Sequence, residues 1–206
     1  MSLRKSQMRI DLDILEQWVK PNTRVLDLGC GDGSLLARLK DKNVTGYGLE
    51  NDPEQIQLCV EKGINVIEKT LDRELYDFGD QSFDTVIMTF ALQVMKHPDI
   101  ILDEMLRVGR ECIVTIPNFG SLQARFALMF GGQMPVTKRL PYEWYNTPNI
   151  HFCTVADFEY FCQARGYQVL NRKMISLSRL NQPFKDIWPN LFAETAVYHL
   201  TKKISE

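Results

Sequence analysis

The residues best placed to do chemistry lie in VLDLGCGDGSLL, residues 25–36, where Gly29, Gly31 and Gly33 alternate directly after an apolar run. Glycine at such a turn permits positive φ and lets a ligand approach the backbone with no Cβ in the way. If a strand ends here and a helix begins, the helix adds unpaired N–H groups and the positive end of its dipole. The turn therefore suits an anionic or strongly polar group. Acidic residues extend the pattern. Asp27 sits inside the apolar run, and Glu50 closes GYGLE, 21 residues after Gly29. A carboxylate at about that spacing accepts hydrogen bonds from ribose hydroxyls. Asp72, in KTLD, is placed to accept from an adenine amino group, and Leu49 and Leu71 to sandwich the ring. The plainer readings stand beside these: Asp72 as an ordinary loop acid, the leucines as core.

Two ligands compete for such a turn. A dinucleotide prefers G-x-G-x-x-G, whereas this chain reads G-x-G-x-G with Ser34 next. An acid such as Asp27 is unfavourable beside a pyrophosphate and welcome beside an ammonium. S-adenosylmethionine carries an ammonium, a carboxylate and a sulfonium but no phosphate, so Asp27 favours it and a nucleotide-dependent oxidoreductase ranks low. Displacement at a sulfonium-activated carbon asks mainly for alignment, and for a base only if the acceptor must lose a proton early. Gln93, His97, Tyr142, Tyr145 and His151 lie near the expected opening. His151, in NIHFCT, is the best acid or base among them, although a structural hydrogen bond is its better reading. Gln93 follows the fourth strand, where an acceptor pocket should open. Tyr145 and Tyr142 flank Trp144, and aromatic packing is their default. The N/D-P-P-Y signature of amino-nitrogen methylation is missing; Thr89-Phe90-Ala91-Leu92 stands there instead. Three histidines without paired spacing argue against a metal, and no G-x-S-x-G elbow occurs.

The elements that must position these residues alternate along the chain. Helical spacing over 9–19 is stopped by Lys20-Pro21-Asn22. Strands are read at 24–29, 44–50, 64–68, 83–89 and 112–117, with helices over 34–42, 53–62 and from Pro98 to Val108. Asp52 and Pro53 supply an N-cap and a first helical residue. Residues 68–82 read as a polar loop with one helical turn. Five strand–helix alternations predict a parallel sheet with helices on both faces. After Thr154, which caps a helix over 155–165, strands at 167–177 and 194–202 form an antiparallel pair at one edge. The fold class is α/β: a doubly wound, Rossmann-like, seven-stranded and mostly parallel sheet whose last strand is antiparallel. The pattern breaks over residues 117–150. There FGSLQARFALMFGGQMPV, residues 119–136, is too apolar for one narrow buried stripe, and reads equally as a lid hinged at Gly131-Gly132, a protein interface, or packing on the sheet edge.

Composition sets the wider bounds. A chain of 206 residues allows one large domain, which buries roughly 70% of its unfolded surface without disulfide or metal. A formal net charge of −2 gives no basic signature for nucleic acid. The five cysteines form no CxxC pair and fit reduced core thiols in a cytoplasmic protein. No run reaches secretory or membrane-spanning length.

VLDLGCGDG, Glu50 and DFGDQSFDTVIMTFALQ resemble the class I S-adenosylmethionine-dependent methyltransferases. A narrower resemblance runs from about residue 9 to the final strand. RVLDLGCGDGSLL, EMLRVGRECIVTIPNFG, GQMPVTKRLPYEWYNTPNIHFCT and DFEYFC are similar to the methionine-biosynthesis MetW family, and the PYEWYNTPNIHFCT block is not a general methyltransferase feature. The resemblance implies a single methyltransferase-like domain that binds S-adenosylmethionine through Asp27, Gly29, Cys30, Gly31, Gly33, Glu50, Asn51, Leu71, Asp72 and Thr89. It leaves two functions open: methylation of a small molecule, or a non-catalytic accessory role supporting homoserine O-acyltransferase. On the sequence, Gly31→Val is expected to block the ligand through Cβ crowding and leave the fold intact.

Overall fold

The computed structural model describes residues 12–71 and 75–203. Seven strands form one sheet: β1 (Arg24–Leu28), β2 (Thr45–Glu50), β3 (Asn65–Glu68), β4 (Phe83–Thr89), β5 (Gly109–Pro117), β6 (Tyr167–Ile175) and β7 (Thr195–Lys202). Their order is 3-2-1-4-5-7-6. Strands β1 to β5 pair in parallel. β7 lies between β5 and β6, antiparallel to both. The doubly wound class read from the sequence is the one observed.

Helices cover both faces because alternate strand residues are apolar on both sides. On one face α1 (residues 12–18), α2 (Ser34–Leu39) and α3 (Pro53–Glu61) bring Leu15, Leu36, Leu39 and Cys59 against Val25, Ile87 and Ile113. On the other, α4 (Pro98–Val108) and α6 (Val155–Ala164) set Leu102, Met105 and Phe158 against Leu26, Met88 and Val114. The strand order reverses between β1 and β4, so their carboxyl ends flank the crevice where such sheets hold ligands.

The helix caps follow the sequence. Asp52 accepts the Glu54 N–H at 2.9 Å ahead of Pro53. Thr154 and Asp157 form a reciprocal capping box. Several boundaries differ from the sequence reading. α2 ends at Leu39 and tightens into a 3-10 turn, Lys40–Lys42. β5 starts at Gly109, directly at the end of α4. Any Cβ at Gly109 would lie 2.7 Å from Val86 Cγ2, so only glycine makes that junction without a loop. In the 117–150 excursion the helix is short: α5 (Leu122–Phe126) runs into a π-type turn, Ala127–Gly131, closed by Gly132 at φ +61°. The connection before β7 holds one further turn, α7 (Pro189–Phe192).

One glycine ties the sheet to the loop that matters. A Cβ on Gly48, in β2, would stand 2.3 Å from Cys30 Sγ and 2.9 Å from Cys30 Cβ. Gly48→Ala is therefore expected to cost about 2–3 kcal/mol by overpacking. Cys30→Ala in the same chain should return part of that loss, because the sulfur is the nearer obstacle. Urea unfolding of the double-mutant cycle measures it; strictly additive losses would show that the two side chains do not compete for this space.

Candidate functional site

At the end of β1 the chain turns through three left-handed glycines: Gly29 at φ +71°, Gly31 at +54° and Gly33 at +70°. L side chains are strained there, which is the physical reason for the alternation read in the sequence. The turn is pinned from below. The N–H groups of Gly29 and Cys30 both donate to Leu49 O, at 2.8 and 3.1 Å. Asp32 accepts from Ser34 N–H and from Ser34 Oγ, and meets Lys62, just past α3, at 2.6 Å. Burial pulls the Asp32 carboxyl upward, but the bonds from Lys62 and Ser34 outweigh it and hold it below the usual range.

Glu50 joins this turn to the end of β2. Its Oε2 accepts the Gly31 N–H at 2.9 Å, and its Oε1 accepts from Asn51 and Asp52 N–H at 2.8 and 3.0 Å. A carboxylate offers about four acceptor positions, so three are engaged within the chain. A ribose held by two hydroxyls would have to share one of them.

Asp27 is the unusual group. It is 2% exposed, and its Oδ1 has no hydrogen-bond partner. Burial, and then the nearby Glu50 charge, raise its carboxyl from 3.8 to about 7. An unpaired buried carboxylate is costly; a cation beside it would remove the cost. Cys30, in contrast, turns its thiol into the core. Its Sγ lies 3.9 Å from Cys59 Sγ, and burial followed by the Asp27 charge pushes the thiol well up. Its backbone is what borders the turn.

A cleft of about 360 Å³ opens beside these residues, lined by Gly29, Glu50, Asn51, Leu71, Phe90 and Ala91 among others. Leu71 packs half-buried against the core, while Leu49 is fully buried and only borders the cleft. Gly31 and Gly33 stand beside this lining rather than in it. A Cβ at Gly33 would press on Cys59 Sγ at 2.9 Å, whereas at Gly31 it would meet only Gln55 Oε1 at 3.9 Å. No protein atom would crowd a Cβ at Gly31, so within the chain it is the left-handed backbone that asks for glycine there. Thr89, paired with Thr115 at the end of β4, is outside the lining. Asp72 lies outside the described residues.

The turn after β4 carries a feature that the sequence does not disclose. Phe90 adopts φ +50°, an outlier for a bulky residue. Gln93 Nε2 donates to its carbonyl at 2.8 Å. Gln93 O in turn accepts the N–H groups of Ile150 and His151, at 3.0 and 3.1 Å. Gln93 and His151 both line a second cavity of about 260 Å³ between α4 and α6. Tyr145 is exposed and lines neither space; it meets Trp144 edge-on, as aromatic packing would have it. His97 precedes α4 without a side-chain capping bond. Among the described residues no three His, Cys, Asp or Glu side chains are grouped to hold a metal, and no helix is long and apolar enough to cross a membrane.

Known proteins resemble the chain at two levels. The magnesium protoporphyrin IX methyltransferase of Synechocystis PCC 6803, solved with bound SAH, superposes with a TM-score of 0.68 at 16% identity, covering 95% of this chain and 84% of that one. A SAM-dependent methyltransferase of Thermotoga maritima, described as a possible histamine N-methyltransferase, gives 0.63 at 18% identity, covering 93% and 87%. These likenesses establish the fold. By sequence, the chain is 32% identical over 200 residues to the bifunctional methionine biosynthesis protein MetXA/MetW of Rhodopirellula baltica, covering 92% of this chain and 32% of that protein. It is 35% identical over 99 residues to the ubiquinone/menaquinone biosynthesis C-methyltransferase UbiE of Burkholderia multivorans, covering 45% of this chain and 41% of that one. The chain thus spans about a third of the first relative's length and two fifths of the second's. The model of the family described as methionine biosynthesis protein MetW matches residues 9–200, and the chain belongs to that MetW family.

Proposed function

We propose that this MetW-family chain binds S-adenosylmethionine at the crevice between β1 and β4 and acts there as a small-molecule methyltransferase in methionine biosynthesis. The observation that carries the reading is Asp27: a buried carboxylate with an unpartnered oxygen beside a left-handed glycine turn. A dinucleotide phosphate would meet repulsion there, whereas the ligand's ammonium would find a counter-charge. Glu50 would hold the ribose and Leu71 would flank the adenine, while Gly29 and Asn51 bound the cleft. Once bound, the ligand supplies a methyl group already activated by sulfonium. The chain's part is to align it and to exclude water.

Calorimetry with S-adenosylhomocysteine and with NAD tests the reading. Micromolar binding of the first alone is expected; NAD binding without it would refute the proposal. Gly31→Val should abolish that binding and, because of φ +54°, also lower stability by about 1–2 kcal/mol. Gly31→Ala should show the same strain without a branched side chain, with a smaller loss of affinity. A melting temperature unmoved in either variant would mean that the turn relaxes freely.

A second reading is favoured by the Rhodopirellula relative, whose name joins MetXA and MetW in one chain. In this reading the chain is an accessory partner of homoserine O-acyltransferase, and the nucleoside site is regulatory. The exposed Phe126, Met129, Phe130 and Trp144 of the 117–150 excursion would then offer an interface. Co-expression decides it: acylation activity indifferent to this chain would dismiss the accessory role.

A further inference from the structure

β4 ends on Thr89, and the chain then turns into one wall of the nucleoside cleft. Phe90 still donates its N–H to Thr115 O at 3.2 Å, as a strand residue would, but its φ of +50° takes the chain off the sheet. The lining that follows is Ala91, then Val94 and Met95 across the 3-10 turn Leu92–Val94. Ala91 meets the glycine turn here. Its Cβ lies 3.9 Å from where a Cβ on Gly29 would stand, and Leu71 Cδ1 lies 3.7 Å from the same point. The torsion of one residue, Phe90, therefore sets how far this wall stands from Gly29 and Leu71. The other described non-glycine residues with positive φ are Asn22, Asn43 and Gln81, and none of them lines the cleft.

A bulky residue keeps a left-handed backbone only where its surroundings over-determine it. Two contacts do so. Gln93 Nε2 donates to the Phe90 carbonyl at 2.8 Å, and the Arg139 guanidinium carbon lies 5.4 Å from the centre of the Phe90 ring. Gln93 is well anchored for this task. It is buried, and its own carbonyl accepts the N–H groups of Ile150 and His151.

We propose that Gln93 is a positioning residue for the nucleoside ligand. Through its bond to the Phe90 carbonyl it keeps that backbone left-handed, and so holds the wall from Ala91 to Met95 at the width the nucleoside needs. Gln93 lies outside the cleft lining and acts only through Phe90. Without the bond, Phe90 spends part of its time at ordinary φ and the wall shifts. Apparent affinity then falls with the fraction of chains still left-handed. The positioning role rests on the reading of this cleft as a nucleoside site; the clamp on Phe90 does not.

Two substitutions at residue 90 separate its backbone from its ring. Both alanine and glycine remove the ring, but only glycine adopts positive φ without strain. The probes are S-adenosylhomocysteine and 5′-methylthioadenosine, which keeps the nucleoside and lacks the amino-acid tail; calorimetry on the full chain reads both. Gln93→Met has nearly the same length and no donor. It should weaken both probes about five-fold, as the loss of one neutral hydrogen bond allows. In a Phe90→Ala chain the same substitution should again cost about five-fold. In a Phe90→Gly chain it should cost about two-fold at most, because glycine needs no clamp. General loosening of the fold would not distinguish glycine from alanine at this position. Unchanged affinity in Gln93→Met, or equal losses in the alanine and glycine chains, overturns the proposal. A loss confined to S-adenosylhomocysteine overturns the assignment of this wall to the nucleoside. If the parent binds neither probe, the nucleoside reading falls, and melting temperatures judge the clamp alone. Gln93→Met should then lower the melting temperature by about 2–4 °C in the alanine chain and by less than half as much in the glycine chain; equal shifts overturn the clamp.

Discussion

Replacing Asp27 by Asn is expected to make the ligand-free protein more stable at about pH 8 and to weaken its binding of S-adenosylhomocysteine. Both effects have one cause. Burial and the Glu50 charge raise the Asp27 carboxyl from 3.8 to about 7. Between those values the folded chain retains a proton that the unfolded chain releases. Stability therefore falls as pH rises through this window, and the deficit is complete above about 7. Its size is on the order of 2–4 kcal/mol: each tenfold change in proton affinity is worth about 1.4 kcal/mol, and relaxation around the buried charge recovers part of the total. Asn has nearly the same shape and no charge, so this slope should vanish. The expected record is a pair of melting curves from about pH 4 to 8 in which the parent falls relative to the variant as pH rises, the other titrating groups being common to both. A parent that gains on the variant from about pH 5 to 7 would contradict the assignment. Affinity should fall by ten-fold or more, because the neutral amide no longer answers a cation. Binding by the parent should also release protons below about pH 7, detectable as buffer-dependent heats.

Glu50→Gln should cost more affinity than Asp27→Asn. The parent carboxylate accepts from Gly31, Asn51 and Asp52 N–H groups. An amide keeps one oxygen and sets an NH₂ group against one of those donors. The Gly31 N–H, alone on Oε2, is the one most exposed to this mismatch. Hydrogen bonds to charged groups contribute about 1.5–3 kcal/mol each, so roughly 100-fold weaker binding of S-adenosylhomocysteine is expected. A loss of about 1–2 kcal/mol in stability should accompany it. The ribose assignment is separable from turn damage by a 2′-deoxy analogue. The parent should discriminate against it and the variant should not. Retained discrimination would move the sugar away from Glu50.

Much of this is legible in the residues, and the reasons differ by element. Strands β1, β4 and β5 are legible as short, mostly apolar runs, as strands buried on both faces tend to be. The glycine turn is legible because left-handed backbone leaves a compositional trace. The purpose of Gly31 is not, since strain and crowding both select glycine and only φ separates them. The start of β5 is hidden because Gly-Arg-Glu reads as a loop when the helix before it needs none. The excursion after Pro117 resists reading because its apolar residues follow neither period, and several of them end exposed. Leu102, Gln93, His151 and Phe158 come together only in the folded chain, so no spacing rule could reveal their cavity. The left-handed Phe90 leaves no signal at all, being a residue type that ordinarily avoids that conformation.

The slotting of β7 between β5 and β6 has a consequence for synthesis on the ribosome. Five strands can pair as they emerge, but β5 keeps a bare flank, and β6 has nothing to pair with, until residues 195–202 have left the exit tunnel. During that interval the nascent chain presents unsatisfied strand edges to whatever is nearby. Premature termination anywhere in β7 should leave a product that chaperones retain and proteases clear, even though every residue of the glycine turn has already been made.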